Sequence, residues 1–179
     1  MKALFTLLLI QLTAAACFAQ EFKPVDAGSS VAFEIKNFGF NSKGTFTGLE
    51  GKIIFDAKDP SKASFDVSVN AASVNTDNGS RDGHLKKEGY FDVEKYPKIR
   101  FVSTSMSGPD KSGHYTLSGK LTIKNTTKDI YFSCIATPMG NDYIFKGDFQ
   151  INRRDYDVGG GSTLSNNVNI SLTVLAKRQ

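Results

Sequence analysis

From residue 20 onward, apolar side chains recur at every second position and helical periodicity is almost absent. Val31, Phe33 and Ile35 alternate with Ala32, Glu34 and Lys36, and Tyr115, Leu117, Gly119, Leu121 and Ile123 alternate with Thr116, Ser118, Lys120, Thr122 and Lys124. Successive side chains of a strand point to opposite faces, so each run has one apolar and one polar face. Antiparallel strands suit such a pattern, because their sheet packs one face on a core and leaves the other in water. The same rhythm returns from Phe46 to Phe55 and at Phe65, Val67 and Val69, then from Ile99 to Met106 and from Ile130 to Ala136, and finally from Tyr143 to Ile151 and from Val168 to Ala176. Polar punctuation separates most runs, so the pattern predicts an all-β fold, an eight-stranded antiparallel up-and-down barrel with one short helix. A two-sheet sandwich shares the pattern and stands as the alternative.

Residues 1–19 are of a different kind. Lys2 precedes an apolar stretch from Ala3 to Leu12, followed by small residues around Cys17 and Phe18. This reads as a secretory signal peptide, too short for a spanning helix, and leaves one domain over residues 20–179. Ala14-Ala15-Ala16-Cys17 loosely resembles a lipoprotein box, which makes acylation at Cys17 the minority reading. With Cys17 removed, Cys134 is the remaining thiol; it falls in the apolar phase of its run and reads as a small buried hydrophobe. The net charge of +4 is spread along the chain rather than gathered in a run, which argues against nucleic acid. A membrane-spanning barrel is also disfavoured, since faces such as Ser64, Asp66, Ser68 and Asn70 would make an unusually charged channel.

One stretch breaks the rhythm. Between Asn75 and Pro97, Ser80 opens a segment that reads as a short helix, with Ser80 as its cap, Asp82 in the first turn and Gly89 at its left-handed end. Asp82 and His84 could serve as acid and base, yet two positions apart on a helix they point away from each other. The preferred reading is structural: Arg81 and Asp82 pin the helix across a barrel end, and His84 donates to a backbone carbonyl. Histidine and cysteine spacings typical of zinc sites are absent, and so are the glycine fingerprints of phosphate-binding loops; neither a metal nor another cofactor is expected beyond a bound lipid.

The 14 phenylalanines therefore carry the functional question. Phe33, Phe46, Phe55, Phe65, Phe101, Tyr115, Phe132, Tyr143, Phe145 and Phe149 share the inward phase and could line a ligand tunnel or fill a core. Gly119, Gly147, Cys134 and Ala136 share that phase and would open volume beside the rings. Residue phase leaves both outcomes standing.

Several motifs, in order, narrow the choice: Ser30-Val-Ala-Phe33 with Gly44-Thr-Phe46, Asn75 through Arg81-Asp82-Gly-His84-Leu85-Lys86, Tyr90-Phe91-Asp92, Tyr96-Pro97-Lys-Ile99-Arg-Phe101, Gly119-Lys-Leu-Thr-Ile123, and Asn152-Arg153-Arg154-Asp155-Tyr156. Together they resemble the YceI-like family of exported lipid-binding proteins, over roughly Phe22 to Lys177. The resemblance implies a lipocalin-like eight-stranded barrel whose apolar tunnel holds a polyisoprenoid or fatty-acyl lipid, without catalysis, in the bacterial periplasm. Ser29 and Asn37 stand where many relatives carry histidine, so polar contacts made there would differ. The expected tunnel lining is the aromatic set named above, with Arg81 and His84 as candidates for the mouth. A lipid-modifying enzyme using Asp82 and His84, or an interaction module with a solid barrel, are the alternatives; pairing of two chains is left open. No stable insertion into a membrane is expected.

Overall fold

A computed structural model describes residues 20–160 and 163–179; the expected signal peptide and Cys17 lie outside the described residues. The strands are β1 (Gln20–Asn37), β2 (Phe40–Phe46), β3 (Glu50–Phe55), β4 (Ser64–Asn70), β5 (Lys98–Ser107), β6 (Tyr115–Ile123), β7 (Thr126–Met139), β8 (Asp142–Asn152) and β9 (Leu164–Arg178), with one helix, α1 (Gly79–Leu85), between β4 and β5. From β3 to β9 the chain meanders, each strand antiparallel to the next, and β9 returns to pair with β1 along nearly its whole length. The sheet closes, which removes the exposed edges of an open one.

Two of these strands share one place in the ring. The far half of β1 pairs with β2, from Val31 opposite Phe46 to Asn37 opposite Phe40. Its near half pairs with β3, from Gln20 opposite Phe55 to Phe22 opposite Ile53. β2 and β3 are thus one strand interrupted at residues 47–49, and the barrel has the expected eight positions. The interruption has a local cause. Gly48 adopts a φ of 73°, turning the chain off the ladder. The Asp26 carboxylate then accepts hydrogen bonds from the amides of Gly48 (3.0 Å) and Leu49 (2.8 Å), which replace the lost ladder bonds. Opposite this point β1 bulges between Val25 and Ser30, and Ser29 Oγ bridges the bulge by donating to the Val25 carbonyl while accepting from the Leu175 amide.

Inside the ring the alternation predicted from sequence holds strictly along β6, where Tyr115, Leu117, Gly119, Leu121 and Ile123 are buried. Outward positions carry ion pairs such as Arg100 with Asp66 and Lys120 with Asp129. Such exposed pairs add little stability individually.

The connection from 71 to 97 lies against the flank of the interrupted strand. Main-chain bonds join Thr45 and Asn75 in both directions (2.8 and 3.0 Å), so this segment covers the outer edge of β2. The helix starts earlier than expected: Asn78, not Ser80, is its cap, its side chain accepting from the Arg81 amide at 3.0 Å. Nor does Gly89 take a left-handed end. Lys86 remains right-handed, and the chain turns back through Phe91 N–H to Leu85 carbonyl and Val93 N–H to Lys86 carbonyl bonds. Asp92 supplies the left-handed residue, with a φ of 48°.

Candidate functional site

The barrel is solid in one half and hollow in the other. Toward the start of β1 and the end of β9, Phe22, Ile53, Phe55, Phe65, Met106, Tyr115, Leu117, Cys134, Phe145 and Ala176 form a buried cluster. Its rings meet edge to face: Phe55 with Tyr143 at 5.0 Å, Phe55 with Phe145 and Phe65 with Phe145 at 5.2 Å, and Phe22 with Tyr143 at 5.4 Å. Edge-to-face contacts add roughly 0.5–1.5 kcal/mol per pair beyond the area they bury. Rings from opposite walls touch here, and the axis is blocked.

Toward the other end opens an almost wholly apolar cavity of about 420 Å³. Val168, Ile170, Leu172 and Val174 line one side from β9, facing Val31, Phe33 and Ile35 of β1 across the ladder. Leu121, Ile123, Ile130 and Ile151 continue the wall, and Leu85, Tyr90 and Phe91 cover it from the 71–97 connection. Phe91 meets Phe46 edge-on at 5.3 Å, which ties this cover to β2. The volume lies within the range of small-molecule sites.

The ten aromatics singled out by phase divide between the two halves. Phe33, Phe46, Phe101, Phe132 and Phe149 line the cavity. Phe55, Phe65, Tyr115, Tyr143 and Phe145 do not reach it and pack as its floor. The expected lining is corrected accordingly for those five: an inward phase says which face a ring is on, not how far along the axis it sits. Phe132 and Phe149 stack at 4.7 Å on the boundary. The glycines expected to open volume act indirectly. A Cβ at Gly119 would lie 2.5 Å from the Phe101 ring, and one at Gly147 would lie 3.1 Å from the Phe132 ring. Each receives the ring of a neighbouring strand rather than leaving a gap. The aliphatic row of β9 lines the chamber beside these rings, outside the aromatic set expected from sequence, and its alternation from Val168 to Val174 is the sequence signal for it.

Arg81 and His84 both border the cavity. Thr76 is clasped between two side chains of α1: Arg81 Nε donates to its Oγ1 (2.7 Å) and a second guanidinium nitrogen to its carbonyl (2.6 Å), while the Asp82 carboxylate accepts from its amide (2.9 Å) and its hydroxyl (2.5 Å). This is the pinning role expected of Arg81 and Asp82. His84 differs from expectation: its ring meets Tyr90 at 4.9 Å in place of a carbonyl. Among the described residues no hydrogen bond joins Asp82 to His84, because the Asp82 carboxylate is engaged by Thr76. Cys134 is buried at the floor, and burial pushes its thiol up to about 11, which keeps it protonated and inert at neutral pH.

Arg153 is the polar residue at the rim that sequence reasoning left without a role. Only 5% exposed, it donates through Nε to the Ser165 carbonyl (2.9 Å), through one terminal nitrogen to the carbonyls of Val158 (2.7 Å) and Gly159, and through the other to Leu164 (3.2 Å). Burial lowers its pKa. A guanidinium fork fits several carbonyls at once, so this side chain organises the connection between β8 and β9 above the cavity. Asn152 caps the turn that carries it, accepting from the Arg154 amide at 3.0 Å, and Tyr156 is buried beneath. The Asn152–Tyr156 motif is therefore architectural.

Residues 22–176 match the family model described as the YceI-like domain. A UPF0312 protein of Serratia proteamaculans is 34% identical over 135 residues, covering 73% of this chain and 69% of its own. Among solved structures, BcnA of Burkholderia cenocepacia superposes with a TM-score of 0.80 at 24% identity, covering 84% of this chain and 98% of its own. A polyisoprenoid binding domain from Saccharophagus degradans superposes with a TM-score of 0.68 at 13% identity over 90% of this chain and 99% of its own. At these identities the two structures establish the fold.

Proposed function

The chain belongs to the YceI-like family, and from that premise we propose that it holds a polyisoprenoid or similar long-chain lipid in the hollow half of its barrel, as a non-catalytic carrier or reservoir. The observation that carries this reading is the division of the barrel: an apolar chamber of about 420 Å³ ends on a floor of interlocked rings. The similarity to a polyisoprenoid binding domain supports the ligand class.

The energetics favour such a guest. A hydrocarbon tail buries several hundred Å² here, and at roughly 25 cal/mol per Å² this exceeds the cost of ordering a flexible chain. From Val168 to Val174 the wall spans seven residues, six steps along the strand, which at about 3.3 Å per step is about 20 Å. Barrel strands tilt by roughly 35–45°, so the chamber is about 15 Å deep. A longer chain must fold back or emerge through the mouth, where Arg81 and His84 would face its polar end. Export to the periplasm, directed by residues 1–19, belongs to the same proposal.

The test is organic extraction of protein purified from its native host, followed by mass spectrometry. An isoprenoid or acyl species in stoichiometric amount is expected. Recovery of neither, from protein that is folded and cannot be loaded with polyprenol, would overturn the reading.

A further inference from the structure

We propose that the β1–β2 hairpin is a membrane-docking element that seats the mouth of the barrel on an anionic lipid surface. Its tip is Phe38-Gly39-Phe40, and Phe38 and Phe40 are 74% and 79% exposed, the reverse of what a soluble hairpin requires. The two central residues have φ values of 49° and 85°, the mirror-image turn that matches the twist of paired strands. Glycine adopts that conformation freely. Phenylalanine does not, and asparagine or aspartate would serve the turn better. Phe38 therefore strains the backbone while leaving 74% of its surface in solvent, so the fold gains little from it; such outliers point to function.

Phe40 extends the argument to the cavity. It pairs with Asn37, and by strand alternation it shares a face with Ser42, Gly44 and Phe46, the row that faces the chamber. The chamber's lining thus continues past the rim and ends in solvent at an aromatic ring. The last pair before the turn is held at the mouth, where Thr163 Oγ1 donates to Asn37 Oδ1 at 3.0 Å.

Charge selects the partner. Lys36 and Lys43 flank the tip; Lys43 is ion-paired at 3.4 Å with Glu34, directly across the ladder, so the hairpin carries a single net positive charge, beside the rings at Lys36. Two protruding rings beside this lysine make an interfacial anchor: the rings enter the headgroup boundary and the Lys36 ammonium meets anionic phosphates. A second copy of the chain is a poorer occupant, since two side chains fall far short of the about 800 Å² per partner that a stable interface buries. Docked in this way, the mouth opens onto lipid, and a tail enters without crossing water. That loading route rests on the lipid-holding function proposed above; the docking itself does not.

The experiment is flotation of the chain from Gln20, which contains every strand of the closed sheet, with phosphatidylcholine vesicles carrying or lacking about one-third phosphatidylglycerol. Binding to the anionic vesicles is expected, weakening at high salt, and a drop of about tenfold or more in partitioning for the Phe38→Ser/Phe40→Ser double variant. Phe38→Gly is the control for folding: it relieves the left-handed strain, so it should raise the melting temperature while lowering vesicle binding. Equal flotation of wild type and double variant, or no flotation of wild type, overturns the proposal. So does a concentration-dependent dimer abolished by Phe40→Ser without vesicle binding. Flotation by protein that yields no extractable lipid would sustain docking and count against the carrier reading alone.

Discussion

The Phe101 ring occupies the space above Gly119 of the neighbouring strand, where a Cβ would come within 2.5 Å of its Cζ. Phe33 on Gly44 and Phe132 on Gly147 repeat the arrangement on other strands. In each case an aromatic on the chamber wall sits over a residue without a side chain. A ring so placed adds apolar surface to the wall without crossing the axis. These phenylalanines are paired with glycines, whereas the floor rings pack on one another.

Gly44→Ala tests that relationship. Its new methyl would meet the Phe33 ring and, at 2.8 Å, the Thr76 methyl. Overpacking of this kind costs typically about 1–3 kcal/mol, and the movable partner is the Phe33 ring, which must swing toward the chamber. The expected outcome is a lower melting temperature together with weaker uptake of a fluorescent polyprenol analogue. Retained uptake would show that the ring finds another escape.

Wall and floor should respond differently to truncation. Phe145 is 6% exposed and touches Phe55, Phe65 and Tyr143, so Phe145→Ala should cost about 3–5 kcal/mol in urea melts. It should also deepen the chamber and admit a longer extracted chain. Phe149 faces the cavity on one side, so Phe149→Ala removes fewer contacts and should cost about half as much. Equal costs would contradict the division of the barrel into a filled and a hollow half.

Arg153→Lys keeps the charge and loses the fork. An ammonium cannot reach Val158, Leu164 and Ser165 together, and buried carbonyls left without donors cost about 1–3 kcal/mol each. Hydrogen exchange should quicken selectively at residues 157–160 and 163–165, with the β5–β7 amides unchanged. Uniform acceleration across the barrel would indicate a general loss of stability instead.

Cys134 makes a prediction about pH. Burial raises its thiol to about 11, above the ordinary value of 9.0, so the folded chain holds this proton more tightly than the unfolded one. The contribution to stability is complete below pH 9 and is lost as pH rises from there through about 11. Cys134→Ala should flatten that part of the stability profile, and native Cys134 should resist thiol reagents at neutral pH until the chain unfolds. Rapid labelling of folded protein would refute the buried placement.

The motifs around the helix show what was legible early and what was not. The clasp of Arg81 and Asp82 could be anticipated because both residues need buried or half-buried partners. The cap at Asn78 was obscured by Ser80, an equally good capping residue two positions later, and only the packing against Thr76 and β2 selects between them. Arg153 drew no role from sequence because its partners are main-chain carbonyls, which every residue possesses.

Alternation alone determined that this chain makes antiparallel strands and sorted the side chains of each into an apolar and a polar face, because a period of two resolves faces; a sandwich would show the same pattern, and the pairing of β9 with β1 is what closes the sheet. The same alternation is silent about height along the axis. Whether Phe145 blocks the barrel while Phe149 lines a chamber depends on the stagger of neighbouring strands and on which rings find a glycine to lie upon. Those are relations between residues far apart in the chain, and only the closed sheet brings them together.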